Sequence, residues 1–499
     1  MRSRYLWAAA VAVVVASAVT VVSVTANAED GRGSVDWKPC PDDEKVKCAS
    51  ITVPLDWSNP DGEEIDIALA MQPATEPESR IGSILMNPGG PGGSGVDKVA
   101  SGLPIVGEEV AKRFDVVGFD PRGVNKSTPI KCDAALAEEA NKMAMPTNQD
   151  EFDKVADVNR RLAEDCRERT GPLFDHVDNL SVVEDMDAIR SALGEEKLNF
   201  LGYSYGTLMG QQYAEKYGDR IRTMVLDSNM DHSLATPGEY METGTAAFEE
   251  NFVAFADWCD TTKDCALNGD GTRDVYAKLR ESAKAGELTD PKTGDPIDFE
   301  ALSLIAFAAN NPEMWDKLDD QLKALRDHKP SATEKLAEPE EVNEPFQPIW
   351  CQDWDYQVKD FEDWRSLNAD VAERHPNVES SPYNRNLLSC VGYPGETTNP
   401  QRPLEIDDAP SMLMVGSRHD PSTPYPWSTT AARQSGASLV TYEGYGHGLY
   451  GFAGDSDCVN KAVESYLIDQ TTPADDLTCP ADGKSRTTTG LTDGSPGPF

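Results

Sequence analysis

The stretch Leu198–Gly210, LNFLGYSYGTLMG, is an apolar run of strand character that ends in Gly202-Tyr203-Ser204-Tyr205-Gly206 and passes at once into a helical pattern, Thr207 to Tyr217. Gly-x-Ser-x-Gly between a strand and a helix is the sequence form of a nucleophile elbow. Such a turn strains the serine backbone and leaves no room for a β-carbon two residues to either side. Gly202 and Gly206 meet that demand, with Ser204 at the tip. The pentapeptide alone also fits a glycine-rich turn with a passive serine. The strand before it and the helix after it favour a nucleophile.

Upstream, Cys48 to Pro54 and Ile65 to Met71 read as two strands of a hairpin joined by the turn Ser58-Asn59-Pro60-Asp61-Gly62. Gly82 to Met86 is a short apolar strand followed by Asn87-Pro88-Gly89-Gly90-Pro91-Gly92-Gly93-Ser94-Gly95, and Phe114 to Phe119 is another that runs into Asp120-Pro121-Arg122-Gly123. Strands alternating with helical segments predict a mostly parallel sheet with crossover helices, and functional loops at the strands' carboxyl ends. If Ser204 attacks a carbonyl, the oxyanion needs pre-aimed backbone amides, each worth roughly 3–4 kcal/mol. The glycine-rich loop lets the backbone approach that closely. The expected donors are the amide of Tyr205, which follows the nucleophile, and that of Gly90 in the loop. A phosphate-binding loop is a weaker reading, since the Gly-Lys-Ser/Thr ending is missing; a mere surface turn is the other.

Downstream, Arg222 to Leu226 is a strand ending at Asp227-Ser228-Asn229, and the next core strand is Ser411 to Val415. A strand-helix-strand step needs only about 30 residues, so a large segment is inserted between them. That segment, residues 231–402, carries helical patterns at Ala246–Cys259, Val275–Ala285 and Met314–Asp327, and a polar, Pro- and Glu-rich stretch at Lys329–Pro348. It reads as a mostly helical cap, or alternatively as a separate binding domain.

A serine nucleophile needs a base, and the base an orienting acid. Asp420 follows the Ser411–Val415 strand in Ser417-Arg418-His419-Asp420-Pro421, and His447 follows the strand Ser438–Tyr442 in Glu443-Gly444-Tyr445-Gly446-His447-Gly448. The order Ser204, Asp420, His447, each on a loop after a strand, is the expected one for this arrangement. His419 is the nearest rival base, but it directly precedes Asp420. His176, His232, His328 and His375 lack a strand-end context. For the acid, Asp227 is the competitor, one strand earlier.

The ordered motifs NPGGPGGSG, GFDPRGVNKS, GYSYGT, GSRHDPSTP and GYGHG resemble the secreted tripeptidyl aminopeptidases of filamentous actinobacteria, relatives of the proline iminopeptidases in the α/β-hydrolase superfamily. The resemblance runs from Val35 to Cys479. It departs at Asn125, where relatives often carry glycine, and at Pro88, where proline iminopeptidases typically have histidine. The resemblance implies an α/β-hydrolase fold, with core parts at residues 35–230 and 403–480 and a mostly helical cap at 231–402. It further implies a serine exopeptidase with catalytic Ser204, Asp420 (in the family's Asp-Pro-x-Thr-Pro context) and His447, and no cofactor or metal. A free peptide ammonium would be met by one or two cap carboxylates, for which Glu250 and Asp353 are the candidates. The expected substrates are peptides with a free N-terminus, from which short peptides, tripeptides foremost, are released. An extracellular esterase or lactonase, and a non-catalytic binding protein on the same scaffold, are the alternatives.

The first 28 residues have a basic head (Arg2, Arg4), an apolar run from Leu6 to Val22 and the small-residue site Ala26-Asn27-Ala28, the form of an export signal cut after Ala28; an uncleaved anchor is the alternative. Ten cysteines fit a disulfide set outside the cell. Nearest-neighbour pairing is expected: Cys40–Cys48, Cys132–Cys166, Cys259–Cys265, Cys351–Cys390 and Cys458–Cys479. No Cys-x-x-Cys spacing supports zinc. A net charge of −41 disfavours nucleic acid and anionic membranes, while a solvated acidic surface accounts for it without any ligand. The expected product is a secreted monomer, free or cell-surface-associated, with no stable membrane association after signal cleavage. Its tail, 481–499, is rich in Gly, Thr, Ser and Pro and reads as disordered.

Overall fold

The structure, a computed structural model, describes residues 35–481 apart from 42, 292, 328–340, 452–455 and 475–476. The expected export signal, nearly all of the expected tail and much of the Lys329–Pro348 stretch lie outside the described residues. Ten strands form one sheet: β1 Lys38–Pro39, β2 Lys47–Pro54, β3 Glu64–Gln72, β4 Gly82–Asn87, β5 Phe114–Phe119, β7 Leu198–Tyr203, β8 Ile221–Asp227, β10 Leu413–His419, β11 Ser438–Tyr445 and β12 Thr478–Cys479. A separate antiparallel pair joins β6, Lys131–Asp133, to β9, Glu341–Asn343. The sheet order is β1-β2-β3-β5-β4-β7-β8-β10-β11-β12. Pairing is antiparallel from β1 to β5 and parallel from β5 to β12, so the mostly parallel sheet read from the sequence is present, with the β2–β3 hairpin at one side.

Every residue of β4, β5 and β7 is buried, as near-continuous apolar strands covered on both faces must be. Side chains alternate between two layers. Leu85, Val117 and Phe200 join one apolar cluster, while Ile84, Met86, Val116 and Leu201 join the other. Strand order reverses around β4, since the chain places β5 on one side of it and β7 on the other. The crevice at the carboxyl ends of β4 and β7 is therefore the topological switch point where α/β sheets hold ligands. The glycine-rich loop and the elbow both open there.

Between β8 and β10 the regular structure of the described chain is helical apart from β9. The long helix Pro237–Thr261 starts from a capping box of Thr236 and Glu239 with Pro237 at its first position. With Thr272–Lys284, Phe299–Ala306 and Trp315–Asp327 it encloses a third apolar cluster around Phe252, Tyr276 and Leu322. The later helices Phe346–Asp353, Phe361–Arg374 and Asn384–Ser389 behave differently. Their Trp350, Trp364 and Leu387 are buried in the same cluster as the sheet residues Phe200 and Leu226. The helical segment thus has one part with its own core and one part fused to the sheet layer. All five nearest-neighbour disulfides are formed, and no cysteine is free. Among the described residues no helix is long and apolar enough to cross a membrane.

Candidate active site

Ser204 stands at the end of β7 with φ 53° and ψ −125°, the strained geometry of an elbow. Close packing around it explains the flanking glycines. A β-carbon on Gly202 would lie 2.6 Å from the Gly206 carbonyl oxygen, and one on Gly206 would lie 2.8 Å from the Asn87 carbonyl oxygen. The Ser204 amide donates to the Asp227 carbonyl (3.1 Å), and its own carbonyl accepts from the amide and hydroxyl of Thr207. Tyr205 is the first residue of the helix Tyr205–Tyr217, so its N–H has no intrahelical acceptor and is available to an anion.

The loop after β4 is pressed against this turn. A β-carbon on Gly89 would come within 2.5 Å of the Tyr203 carbonyl oxygen and 2.8 Å of the Tyr205 nitrogen, so only glycine fits. The Gly89 amide is used internally, donating to Asn87 Oδ1 at 2.8 Å. Gly90, the next residue, is exposed and has φ 120°, a conformation that favours glycine. Asp120, at the end of β5, secures the far end of the loop. Its carboxylate accepts from the Ser94 hydroxyl and from the amides of Val96 and Lys126.

Asp420 and His447 meet at the carboxyl ends of β10 and β11. His447 Nδ1 lies 3.0 and 3.1 Å from the two oxygens of Asp420. Asp420 is 1% exposed and accepts further bonds from the amides of Ser422 and Thr423 (2.9 Å each) and from the Thr423 hydroxyl (3.0 Å). The Asp-Pro-Ser-Thr-Pro turn therefore supplies the donors that hold its own carboxylate. Burial alone would lower the His447 pKa, but the charge and hydrogen bond of Asp420, with the charge of Asp227, outweigh it and leave it raised above 6.5.

The rival acid, Asp227, serves the loop instead. It accepts from the Tyr450 amide at 2.7 Å, while its neighbour Ser228 accepts from the Gly448 amide at 2.8 Å. Tyr203 donates its hydroxyl to the Tyr450 carbonyl (2.8 Å). Gly448 and Tyr450, one and three residues after His447, are thereby pinned to the strand ends beside Ser204. Burial pushes the Asp227 carboxyl up to about 7 against the opposing pull of the Tyr450 and Leu449 amides and of His447.

The two proposed ammonium acceptors part company. Glu250, on the helix Pro237–Thr261, has a 65% exposed side chain and lies 3.3 Å from Nδ1 of His419, the residue before Asp420. His419 itself stacks on Tyr445 with ring centroids 4.3 Å apart, and Trp315 meets Tyr445 edge-on. Asp353 is fully buried, which corrects the expectation of a pocket acid. One oxygen accepts from the Asn179 amide and Asn399 Nδ2 (2.8 Å each), and the other from the Tyr205 hydroxyl. Protein donors hold both oxygens and none of the residue is exposed, which takes the carboxylate out of reach of a peptide ammonium.

Sequence reading missed Arg122, although it stands in the quoted GFDPRGVNKS. It is fully buried, holds Asp185 through two 2.7 Å bonds and also donates to the carbonyls of Pro54, Leu55 and His176. An arginine three residues past the apolar strand Phe114–Phe119 was the available signal, though not its partners. Among the described residues the one cluster with metal-ligand spacing is Cys259, Cys265 and Asp319, and its two cysteines are disulfide-bonded.

Residues 82–285 match the family model described as alpha/beta hydrolase fold, and residues 377–479 match that described as TAP-like protein. The chain is 32% identical to serine protease Hip1 of Mycobacterium tuberculosis, over 96% of this chain and 98% of that one. It is also 32% identical to tripeptidyl aminopeptidase of Streptomyces lividans, over 91% and 88% of the two chains. At the same identity it aligns with carboxylesterase B of Mycobacterium tuberculosis over 87% and 86%.

Proposed function

From the premise that this chain belongs to the TAP-like family of α/β-hydrolases and is a serine hydrolase, we propose that it is an exported exopeptidase that releases short peptides, tripeptides above all, from free N-termini. The observation that carries the catalytic part is the bidentate contact of Asp420 with His447 Nδ1, on a loop pinned to the strand ends beside the strained Ser204.

With Nδ1 engaged by Asp420, Nε2 is the nitrogen left to take the Ser204 proton as the serine oxygen attacks the scissile carbonyl. Asp420 fixes the tautomer and offsets the imidazolium charge. The amides of Tyr205 and Gly90 receive the oxyanion. His447 then gives its proton to the leaving amine, and water repeats the sequence on the acyl-enzyme. Glu250 is the carboxylate proposed to meet the substrate ammonium, since it is exposed and stands over the loop that carries Asp420.

Turnover of a tripeptidyl anilide against its N-acetylated form tests the exopeptidase reading. The free amine should be strongly preferred, and equal turnover would sink it. The kinship with a carboxylesterase supports a second reading, hydrolysis of small esters. Rapid turnover of simple esters with no cleavage of either anilide would favour that instead. Export is supported by the signal-like first 28 residues together with five disulfides.

A further inference from the structure

The carboxylate removed from the substrate pocket lies behind the oxyanion site. Asp353 ends the helix Phe346–Asp353, and its bond from the Tyr205 hydroxyl reaches the one side chain attached to an oxyanion amide. Asp353 also gathers Asn179, the first residue of the helix Asn179–Ala192, and Asn399. Asn399 Oδ1 accepts from Gln212 Nε2 (2.9 Å), and Gln212 Oε1 accepts from Asn179 Nδ2 (2.6 Å). Gln212 lies seven residues after Tyr205, on the same face of the elbow helix. That helix is thus gripped at its first and second turns by one buried network centred on Asp353.

The same short helix touches the other half of the oxyanion site. Pro345, just before it, packs on the glycine loop so closely that a β-carbon on Gly92 would lie 2.8 Å from Pro345 Cγ. The ring of Trp350 lies 6.2 Å from that of Tyr205. The disulfide Cys351–Cys390 ties the helix to the end of Asn384–Ser389. One element therefore sets the spacing between the elbow amide and the loop amide. An apolar contact could fill the space behind Tyr205, but a buried carboxylate demands its donors and so fixes direction as well as distance.

Resting on the reading of Ser204 as nucleophile, we propose that Asp353 is a positioning residue. It acts through the Tyr205 hydroxyl to hold the Tyr205 amide in register with the Gly90 amide for the oxyanion. Burial, with the charge of Asp178, pushes the Asp353 carboxyl up to about 7 against its three donors, so the Tyr205 hydroxyl also helps keep it ionised. Loss of that hydroxyl loosens the amide and leaves the ring in place.

Tyr205→Phe tests this. Its kcat should fall on the order of tenfold, less than the roughly 100-fold cost of deleting an oxyanion donor outright, with KM within about twofold. A tripeptidyl boronic acid, whose adduct on a serine is tetrahedral, should bind the variant more weakly by the factor lost from kcat/KM. The free tripeptide should bind unchanged. Asp353→Ala should lower kcat similarly, and the double variant should be no worse than the poorer single one. An unchanged kcat in Tyr205→Phe overturns the proposal, as do multiplying effects in the double variant. A loss that vanishes once rates are scaled to the titrated fraction of active sites also overturns it. Should Asp353→Ala fail to fold, the boronate comparison with Tyr205→Phe decides alone. Fluorophosphonate labelling separates the two readings: an unlabelled wild type defeats the role of Ser204 itself, whereas wild type and Tyr205→Phe labelling equally fast defeats only the role of Asp353.

Discussion

Two buried carboxylates stand near one imidazole, and their hydrogen bonds divide the work between them. Asp420 takes His447 Nδ1, while Asp227 takes the Tyr450 amide. Asp420→Asn is expected to lower kcat by on the order of 10³–10⁴ by disturbing the tautomer. Asp227→Asn keeps an oxygen for the Tyr450 amide and should stay within about tenfold of wild type, well short of the loss of a general base. Steady-state kinetics of the two variants check the division. Asp227→Asn should also carry a pH-dependent stability signature. The Asp227 carboxyl, raised to about 7, costs stability as it ionises, and the cost grows as pH rises from 3.8 through that value. The advantage of Asp227→Asn in urea melts should therefore be larger at pH 8 than at pH 5. His447 gives a further pH signature. It must be neutral to act as base, so kcat/KM should climb along an acid limb with its midpoint above 6.5, and Asp420→Asn should move that limb to lower pH. Its linked stability runs the other way: the contribution is full below 6.5 and is lost as pH rises through the folded value.

The elbow is an element in which strain is held by close backbone contacts on three sides. Gly202 meets Gly206, Gly206 meets Asn87, and Gly89 meets Tyr203 and Tyr205, all against backbone atoms that cannot rotate away. Gly202→Ala and Gly206→Ala should each cost about 1–3 kcal/mol through forced shifts, read as a lower urea midpoint. Ser204 in these variants should react more slowly with a fluorophosphonate even where the protein is folded. This part of the molecule was legible from sequence because its demands are local. Strand, turn and helix follow one another within Leu198–Tyr217, and glycine is the residue that such a turn admits. The Asp-Pro-Ser-Thr-Pro turn is similar, since Ser422 and Thr423 satisfy Asp420 from two and three residues away.

At the scale of the whole molecule, what sequence could not reveal depends on partners far apart in the chain. Asp353, beside a disulfide and in an aromatic-rich run, has the local look of a pocket acid. Its donors come from Asn179, Tyr205 and Asn399, and only the fold brings these together. The run Phe346–Tyr356 joins the sheet layer because Trp350 and Trp354, stacked on each other and tilted against Tyr240, pack in its cluster, with Trp350 beside Tyr205, contacts that local pattern does not predict. The role of Arg122 was likewise not legible, because a buried arginine makes sense only when Asp185 and the carbonyls around it are known. The disulfides turn this into a comparison. Removing Cys351–Cys390, which closes a separation of 39 residues, or Cys458–Cys479, which closes 21, should each cost about 2–5 kcal/mol in urea melts. Only the first anchors the helix that bears Asp353, so only the first should lower kcat in the protein that remains folded.

The claim that Ser204 attacks peptides with a free N-terminus is tested most directly by acid-quenching the enzyme during turnover of a free-amine tripeptidyl anilide and mapping its peptides by mass spectrometry. The account predicts the mass of one tripeptidyl acyl group on the peptide that contains Ser204, absent when the substrate is N-acetylated. An adduct on another residue, or equal labelling of Ser204 by the acetylated substrate, would contradict it.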